Sequence, residues 1–315
     1  MKCRVCREPA VIDIRRHNAN FCTEHFLRLC RDQTAKAIDD HAMLSPGERV
    51  LVAVSGGKDS LALWDLLREL GYDADGFYVG LGIGGYSDRS GDFVRAFADQ
   101  RGWPLVQVDL REEYDLDVPT AAKATRRVPC SACGLSKRHL FDKAALDGGY
   151  DAIATGHNLD DEAAVLFGNV LRWQTEYLAR QLPVLPAKAG FPRKVKPLVR
   201  LGEREMAAYC VLRGIDYIVE ECPMAVGNKH LGYKEALNEI EAASPGSKHD
   251  FYFGFLARAS ERFRDAAPDD PGDGGLGTCE RCGSPSTGEV CAFCRLVEKS
   301  AGAEPVTLTR KGKTL

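Results

Sequence analysis

Between Val50 and Leu70 the chain reads VLVAVSGGKDSLALWDLLREL, and this segment constrains the fold more than any other. The β-branched run VLVAV has the composition of a fully buried strand, whereas Leu61 to Leu70 carries apolar residues at helical spacing. Only a turn separates them, so the strand must feed a helix that packs straight back on its sheet. Further along, the segment Asp75 to Ile83 (DGFYVGLGI) reads as a strand, FVRAFADQRG as a helix and PLVQVDL as a strand. SKRHLFDKAALDGG follows as a helix and DAIATGH as another strand. This β-α-β-α rhythm predicts an α/β fold built on a doubly wound parallel sheet.

In such sheets ligands gather beyond the carboxyl ends of the strands, where the strand order reverses. Strand ends at Ala53 to Ser55, Tyr78 to Val79 and Thr155 to His157 are expected to converge there. The turn Ser55-Gly56-Gly57-Lys58-Asp59-Ser60 is suited to an anion. Its glycines let backbone N–H groups approach, the helix start adds its positive dipole end, Ser55 and Ser60 offer hydroxyls, and Lys58 supplies a point charge. A kinase-type P-loop needs four residues between its first glycine and a Gly-Lys-Ser/Thr ending, and here the glycines are adjacent. The motif instead resembles SGGxDS, the PP-loop of the N-type ATP pyrophosphatases. That likeness implies ATP cleavage between the α- and β-phosphates and adenylation of a carbonyl oxygen. Backbone groups of Ala53, Val79 and Gly156 are then expected around the adenosine.

After the fourth strand, GHNLDDEAAVLFGNVLRW opens a helix that Asn158 or Asp160 can cap, with Asp160, Asp161 and Glu162 crowding its first turn. Carboxylates there are favoured by the helix dipole. Asp161 fits that capping role, and it also fits a second one, holding Mg²⁺ or taking a proton at the phosphates. Lys137 should face the same crevice from its own helix, able to meet an α-phosphate or the charge developing on a carbonyl oxygen.

The chain has 315 residues, 44% of them hydrophobic, enough for one large α/β domain plus small appendages. No apolar run approaches the roughly 20 residues of a membrane span. The start MKCRVC lacks a charged-then-apolar signal segment, so cytoplasmic residence without a membrane is expected. Twelve cysteines in such a chain point to metal ligands or working thiols rather than disulfides. Cys3, Cys6, Cys22 and His25 form two pairs fifteen residues apart, and Cys279, Cys282, Cys291 and Cys294 two pairs eight residues apart. Each is a closed four-ligand set suited to structural Zn²⁺. His17 could replace His25 but lacks the pairwise spacing. Cys30 and Cys210 sit in apolar helical contexts and read as buried thiols.

Cys130, Cys133 and Cys222 are left. One Cys-x-x-Cys pair and a distant partner cannot close a tetrahedral site, which leaves a coordination position open. Two readings fit: a [4Fe–4S] cluster on three thiolates, or a redox pair in which one cysteine carries a persulfide.

With those residues in view, a second resemblance emerges. The order Cys-x-x-Cys…Cys-x-x-His, SGGKDS, LGIGGYS, PCSACGLSKRHL, ATGHNLDDEA, ECP and Cys-x-x-Cys…Cys-x-x-Cys is similar to the TtuA family of tRNA 2-thiouridine synthetases and its cytosolic relatives. The shorter TtcA group, which thiolates cytidine, lacks the flanking zinc ribbons. The resemblance implies an ATP-dependent tRNA sulfurtransferase that adenylates uridine O2 and replaces it with sulfur. It also implies a homodimer whose cysteines matching Cys130, Cys133 and Cys222 hold an oxygen-sensitive [4Fe–4S] cluster; the rival is a cluster-free site with Cys130 and Cys222 as persulfide donor and resolving thiols. The family's Lys-Asp pair maps onto Lys137 and Asp161, and sulfur arrives on a ubiquitin-like carrier with a C-terminal thiocarboxylate. Relatives modify either 5-methyluridine 54 of the T-loop, the favoured expectation, or the wobble uridine 34. A non-catalytic zinc-ribbon RNA-binding protein is the distant alternative.

A net charge of only −3 confines tRNA contact to local basic patches. Lys123, Arg126 and Arg127 before the cysteine pair, Arg138 and His139 after it, and the run Arg193, Lys194, Lys196 are the candidates. The zinc ribbons could grip tRNA or brace a dimer. The expected organisation is a zinc ribbon with connecting helix over 1–45, the PP-loop catalytic domain with the cysteine site over 46–264, a Pro/Gly/Asp linker over 265–278, a second ribbon over 279–300 and a basic tail with Arg310, Lys311 and Lys313 over 301–315. The linker predicts that the second ribbon is hinged or flexibly placed.

Overall fold

A computed structural model describes residues 1–225, 229–266 and 276–306, together with 309–310 and 313–314. Most of the predicted linker, and Lys311 of the tail, lie outside the described residues. Six strands form the central sheet: β1 (Arg49–Val54), β2 (Asp73–Gly80), β3 (Leu105–Asp109), β4 (Ala152–Thr155), β5 (Val184–Leu185) and β6 (Arg193–Val195). Their order is β3-β2-β1-β4-β6-β5. All neighbours run parallel except β5 with β6. That edge departs from the expected all-parallel sheet because the connection 186–192, drawn tight by the Lys188 and Phe191 bridge, is too short for a crossover helix.

Alternate residues of the buried strands face opposite layers. On one face Val50, Val52, Val54, Ala74, Tyr78, Ala152 and Ala154 pack against α1 (Thr23–Asp40), α2 (Lys58–Glu69), α3 (Gly84–Arg101) and Glu203–Arg213 through Phe26, Trp64, Phe97, Met206 and Tyr209. Cys30 and Cys210 are buried there, as expected of them, and burial pushes Cys210 up to about 12. On the other face Leu51, Phe77, Val79 and Ile153 meet Ala132, Leu140 and Ala145 of α5 (Pro129–Asp147); the short helix Val118–Thr125 before it is α4.

The N-terminal hairpin, Ile12–Ile14 paired with Ala19–Phe21, adds Ile12, Ile14 and Phe21 to the first layer. Arg16 from its turn forks onto the buried Glu205 carboxylate and also donates to the Arg200 carbonyl. The second ribbon is not hinged but docked. Its helix Ala292–Ser300 presents Phe293, 1% exposed, and Leu296 to the other layer. Phe293 stacks on His139 at 4.3 Å and meets Tyr114 edge-on at 5.1 Å. The linker composition carries no information about this apolar stripe, which is what holds the ribbon down. Among the described residues no helix is long and apolar enough to cross a membrane.

Candidate active site

The strand order reverses between β1 and β4, and the Ser55–Ser60 turn sits at that point. Its shape comes from Ser60, whose hydroxyl accepts from the Ser55 N–H at 3.0 Å and donates to the Gly57 carbonyl at 2.9 Å. Gly56 has φ +76°, and a Cβ there would stand 2.5 Å from the Ser90 carbonyl oxygen of α3. At Gly156, after β4, a Cβ would lie 2.9 Å from the Ser60 nitrogen. The two loops therefore approach as only glycine permits. Between them lies a cavity of about 270 Å³ lined by Ala53, Ser55, Gly57, Asp59, Ser60, Lys137 and Gly156, together with Phe141, Thr155 and His157.

Four predicted residues stand elsewhere: Gly56, Val79, Lys58 and, in a capping box with Asn158, Asp161. Gly56 turns behind the loop, where its carbonyl accepts from the Ile218 N–H at 2.9 Å. Val79 pairs with Val108 across β2 and β3 and is buried in the second core layer. Lys58 lines an adjoining cavity of about 730 Å³, where its ammonium donates to Glu203 at 2.7 Å and Asp59 at 3.2 Å.

Asn158, not Asp160, caps the helix α6 (Leu159–Leu171), and Asp161 closes a capping box with it. Asp160 instead pairs with Lys248 and accepts from the Glu203 N–H. The second Asp161 oxygen lies 2.6 Å from Lys234, which also reaches Glu203 at 3.2 Å. Asn158 Nδ2 donates to Asp59 at 2.9 Å, so the two aspartates flank one asparagine. Burial lifts the Asp59 carboxyl, with Lys58 opposing and Asp161 adding to the rise. For Lys234 burial works downward, but Asp161 and Glu203 outweigh it and raise the ammonium. The motifs drew no attention to Glu203 or Lys234. Both belong to stretches of ordinary helical composition, and their place at the turn is decided by packing between distant segments.

Cys130 and Cys133 occupy the first turn of α5, and Cys222 precedes the short turn Pro223–Ala225. The Cys130 sulfur stands 3.8 Å from the Met224 carbonyl oxygen, which brings the pair against the Cys222 segment. Burial pushes the Cys222 thiol up, Cys133 and Cys130 add to the rise, and Lys137 opposes it. Lys137 thus lines the cavity at the glycine turn while its charge reaches the cysteine site. Cys130 is exposed and Cys133 and Cys222 are half-buried, and three soft thiolate donors are the chemistry that suits an iron–sulfur group.

In each of two other groups the ligand atoms lie within 4.8 Å of one another: Cys3, Cys6, Cys22 and His25, and Cys279, Cys282, Cys291 and Cys294. Cys6 and Cys22 sulfurs are 3.6 Å apart, Cys282 and Cys291 3.7 Å, and His25 Nδ1 is 3.2 Å from Cys22. A tetrahedron with Zn–S bonds of about 2.3 Å has edges of about 3.8 Å, so both groups fit Zn²⁺. N–H groups of Cys291 and Cys294 point at the Cys279 and Cys291 sulfurs, as suits thiolates. His17 is not part of the first group.

The basic candidates divide. Lys123, Arg126, Arg127 and Arg138 are exposed around the start of α5. His139 is not a surface cation, because burial, with Lys143 adding, lowers it to about 4 beneath Phe293. Arg193, Lys194 and Lys196 are held in ion pairs with Glu48, Asp142 and Glu162, the last two at 2.7 and 2.8 Å, and form no free run.

Residues 2–27 match the family described as 2-thiouridine synthetase TtuA, N-terminal LIM domain, and residues 24–225 match the PP-loop domain. A Thermus thermophilus protein named tRNA-5-methyluridine(54) 2-sulfurtransferase is 53% identical over 94% of this chain and 91% of its own length. One of the same name from Thermotoga maritima is 39% identical over 97% and 100%. Among solved structures, the U34-tRNA thiolase NcsA from Methanococcus maripaludis with its [4Fe–4S] cluster superposes with a TM-score of 0.77. It is 26% identical, and the match covers 95% of this chain and 96% of that one.

Proposed function

The chain belongs to the TtuA family of tRNA 2-thiouridine synthetases, and from that premise we propose that it is an ATP-dependent tRNA sulfurtransferase acting on 5-methyluridine 54. The observation that carries this is the position of Lys137. One helix, α5, brings this lysine to the edge of the cavity formed by the Ser55–Ser60 turn and carries the cysteine pair at its start.

Uridine O2 is a poor leaving group. In the proposed reaction it attacks the α-phosphorus of ATP, the bond to the β-phosphate breaks, and pyrophosphate departs. A sulfur nucleophile then attacks C2, and AMP leaves with the former O2. The hydroxyls of Ser55 and Ser60 and the backbone of Gly57 hold the phosphates at the start of α2, while Gly56 shapes the turn from behind. Ala53 and Gly156 border the adenosine through backbone groups, and Val79, buried in the second core layer, does not. Lys58 and Lys137 offset negative charge, Lys137 at the α-phosphate or the activated oxygen. Asp59 and Asp161 are the carboxylates for Mg²⁺, and the support for that pairing is Asn158, which donates to Asp59 and shares a capping box with Asp161.

Cys130, Cys133 and Cys222 would hold a [4Fe–4S] cluster, which supplies an iron with an open position for sulfide. Two Zn²⁺ ions belong to the closed sets and brace the ribbons against the two core layers. Exposed Lys123, Arg126, Arg127 and Arg138 surround the cysteine site and are the proposed contacts to the tRNA backbone. The family reading also brings a ubiquitin-like thiocarboxylated sulfur carrier, a homodimer and cytoplasmic residence.

The test is thiolation under anaerobic conditions with ATP, sulfide and tRNA carrying 5-methyluridine 54, read by mass spectrometry of the digested nucleosides. Sulfur at position 54 with AMP release is expected, and Cys222→Ser should lose both iron and thiolation. Sulfur at position 34 would move the substrate to the wobble uridine. Full activity of a colourless, iron-free chain would overturn the cluster, and activity of that chain only with a donor of persulfide-level sulfur in place of sulfide would favour persulfide chemistry on Cys130 and Cys222. AMP release without sulfur incorporation would overturn the assignment.

A further inference from the structure

Lys58, the one lysine of the phosphate-binding turn, is already engaged. Its ammonium contacts Glu203 at 2.7 Å and Asp59 at 3.2 Å and lines the larger adjoining cavity rather than the one between the two glycine loops. Glu203 shares its other oxygen with Lys234 at 3.2 Å, and Lys234 holds Asp161 at 2.6 Å. The chain of contacts therefore runs Lys58, Glu203, Lys234, Asp161, and joins two residues of the proposed machinery through two that have no part in it. Its members come from four separate helices: α2, Glu203–Arg213, Lys229–Ala243 and α6. With Asp59 included, two cations face three carboxylates, an arrangement unwelcoming to a polyanion until Lys58 is released.

We propose that Glu203 and Lys234 are positioning residues that set how readily Lys58 is handed to the nucleotide's phosphates. Glu203 competes with phosphate for the Lys58 ammonium. Lys234 limits the consequence of losing that contest, because a half-buried carboxylate abandoned beside incoming phosphates would otherwise be left without a cation. Once Lys58 turns to the phosphates, Glu203 stays paired with Lys234, and Lys234 keeps Asp161 in its capping box. The side chains of Lys58, Lys234 and Glu203 are 19%, 23% and 40% exposed, so water tempers each contact without removing it.

This inference rests on the Ser55–Ser60 turn being the phosphate site, and it makes a prediction of sign that a merely structural ion-pair network does not. Removing the competitor should tighten nucleotide binding, and removing the cation that supports the competitor should weaken it. Glu203→Gln is expected to lower the Kd of a non-hydrolysable ATP analogue about two- to fivefold, and Lys234→Gln to raise it by a similar factor. The double variant should bind as Glu203→Gln does, because Lys234 acts through Glu203, and Lys234→Arg should keep the wild-type value.

The measurement is titration calorimetry on the full metal-loaded chain with Mg²⁺ present, with thermal melting to confirm that each variant is folded. If Glu203→Gln does not fold, Lys234→Gln against Lys234→Arg still decides, since the proposal requires the first to weaken binding and the second to preserve it. Shifts of the same sign in both Gln variants, or none in either, while the wild type binds the analogue, would overturn the positioning roles and leave the phosphate site standing. Failure of the wild-type chain to bind any nucleotide would refute the phosphate site and the positioning roles together.

Discussion

Gly56→Ala tests the geometry of the phosphate-binding turn with a single methyl group. At φ +76° an alanine meets left-handed strain of about 1–2 kcal/mol. The new Cβ would also stand 2.5 Å from the Ser90 carbonyl oxygen. That carbonyl cannot yield easily. It belongs to α3, and the Ser90 hydroxyl is tied to Tyr78 at 2.8 Å and to the Ser87 carbonyl at 2.9 Å. Forcing such a close approach adds about 1–3 kcal/mol, for a total of about 2–5 kcal/mol. Gly57→Ala is the control. With φ −84° and only Ser55 Oγ near, at 3.5 Å, its Cβ fits and stability should change by less than about 0.5 kcal/mol. Urea unfolding followed by the fluorescence of buried Trp64, alongside titration with an ATP analogue, reads both effects. Gly56→Ala should lose stability and nucleotide affinity together. Wild-type stability and affinity in Gly56→Ala would show that the loop is not shaped by this close approach.

Three further outcomes follow from the structure. His139 is held to about 4 in the folded chain against 6.5 in an ordinary histidine, so the unfolded state takes the proton first, and stability from the neutral ring is present above about 6.5 and lost as pH falls towards 4. His139→Phe should therefore gain about 1–2 kcal/mol relative to wild type between pH 7 and pH 5 in chemical unfolding, and an unchanged difference across that range would contradict the buried neutral ring. Cys291→Ser should bind one zinc fewer by metal analysis and release Phe293 from its stack on His139, lowering the melting temperature; retention of both zinc ions would refute the four-ligand set. Replacing Lys123, Arg126 and Arg127 together with alanine should weaken tRNA binding and lower its salt dependence by about one unit of slope for each phosphate no longer neutralised. Lys196→Ala should leave that slope alone and destabilise the fold instead, because it strips the cation from buried Glu162. The reverse pattern would exchange the roles of the two basic groups.

Much of this site was legible because its signals are local. The Gly-Gly turn between VLVAV and an amphipathic helix, the paired cysteines, and Asp161 three residues after an N-cap are all patterns within a few residues, where spacing dictates geometry. The docking of the second ribbon was not legible. Its linker composition suggested freedom, while Phe293 and Leu296 found an apolar surface on α4 and α5 more than 140 residues earlier in the chain. His139 looked like surface charge because its neighbours in sequence are basic, yet it became a buried neutral ring. Arg193, Lys194 and Lys196 looked like a cationic run until the sheet brought Glu48, Asp142 and Glu162 beside them.

The residue order alone fixed the chemistry available: a turn for phosphates, two four-ligand sets that suit zinc, three further thiols, and a βα order that places the turn where strands reverse. Only the tertiary structure decided which charges are free. It gave Lys58 to Glu203, Asp161 to Lys234 and the second basic run to buried carboxylates, while leaving Lys137 between the cavity and the cysteines. Whether a charged side chain meets solvent, a ligand or a partner depends on which distant segments pack against it, and residue spacing carries no information about that.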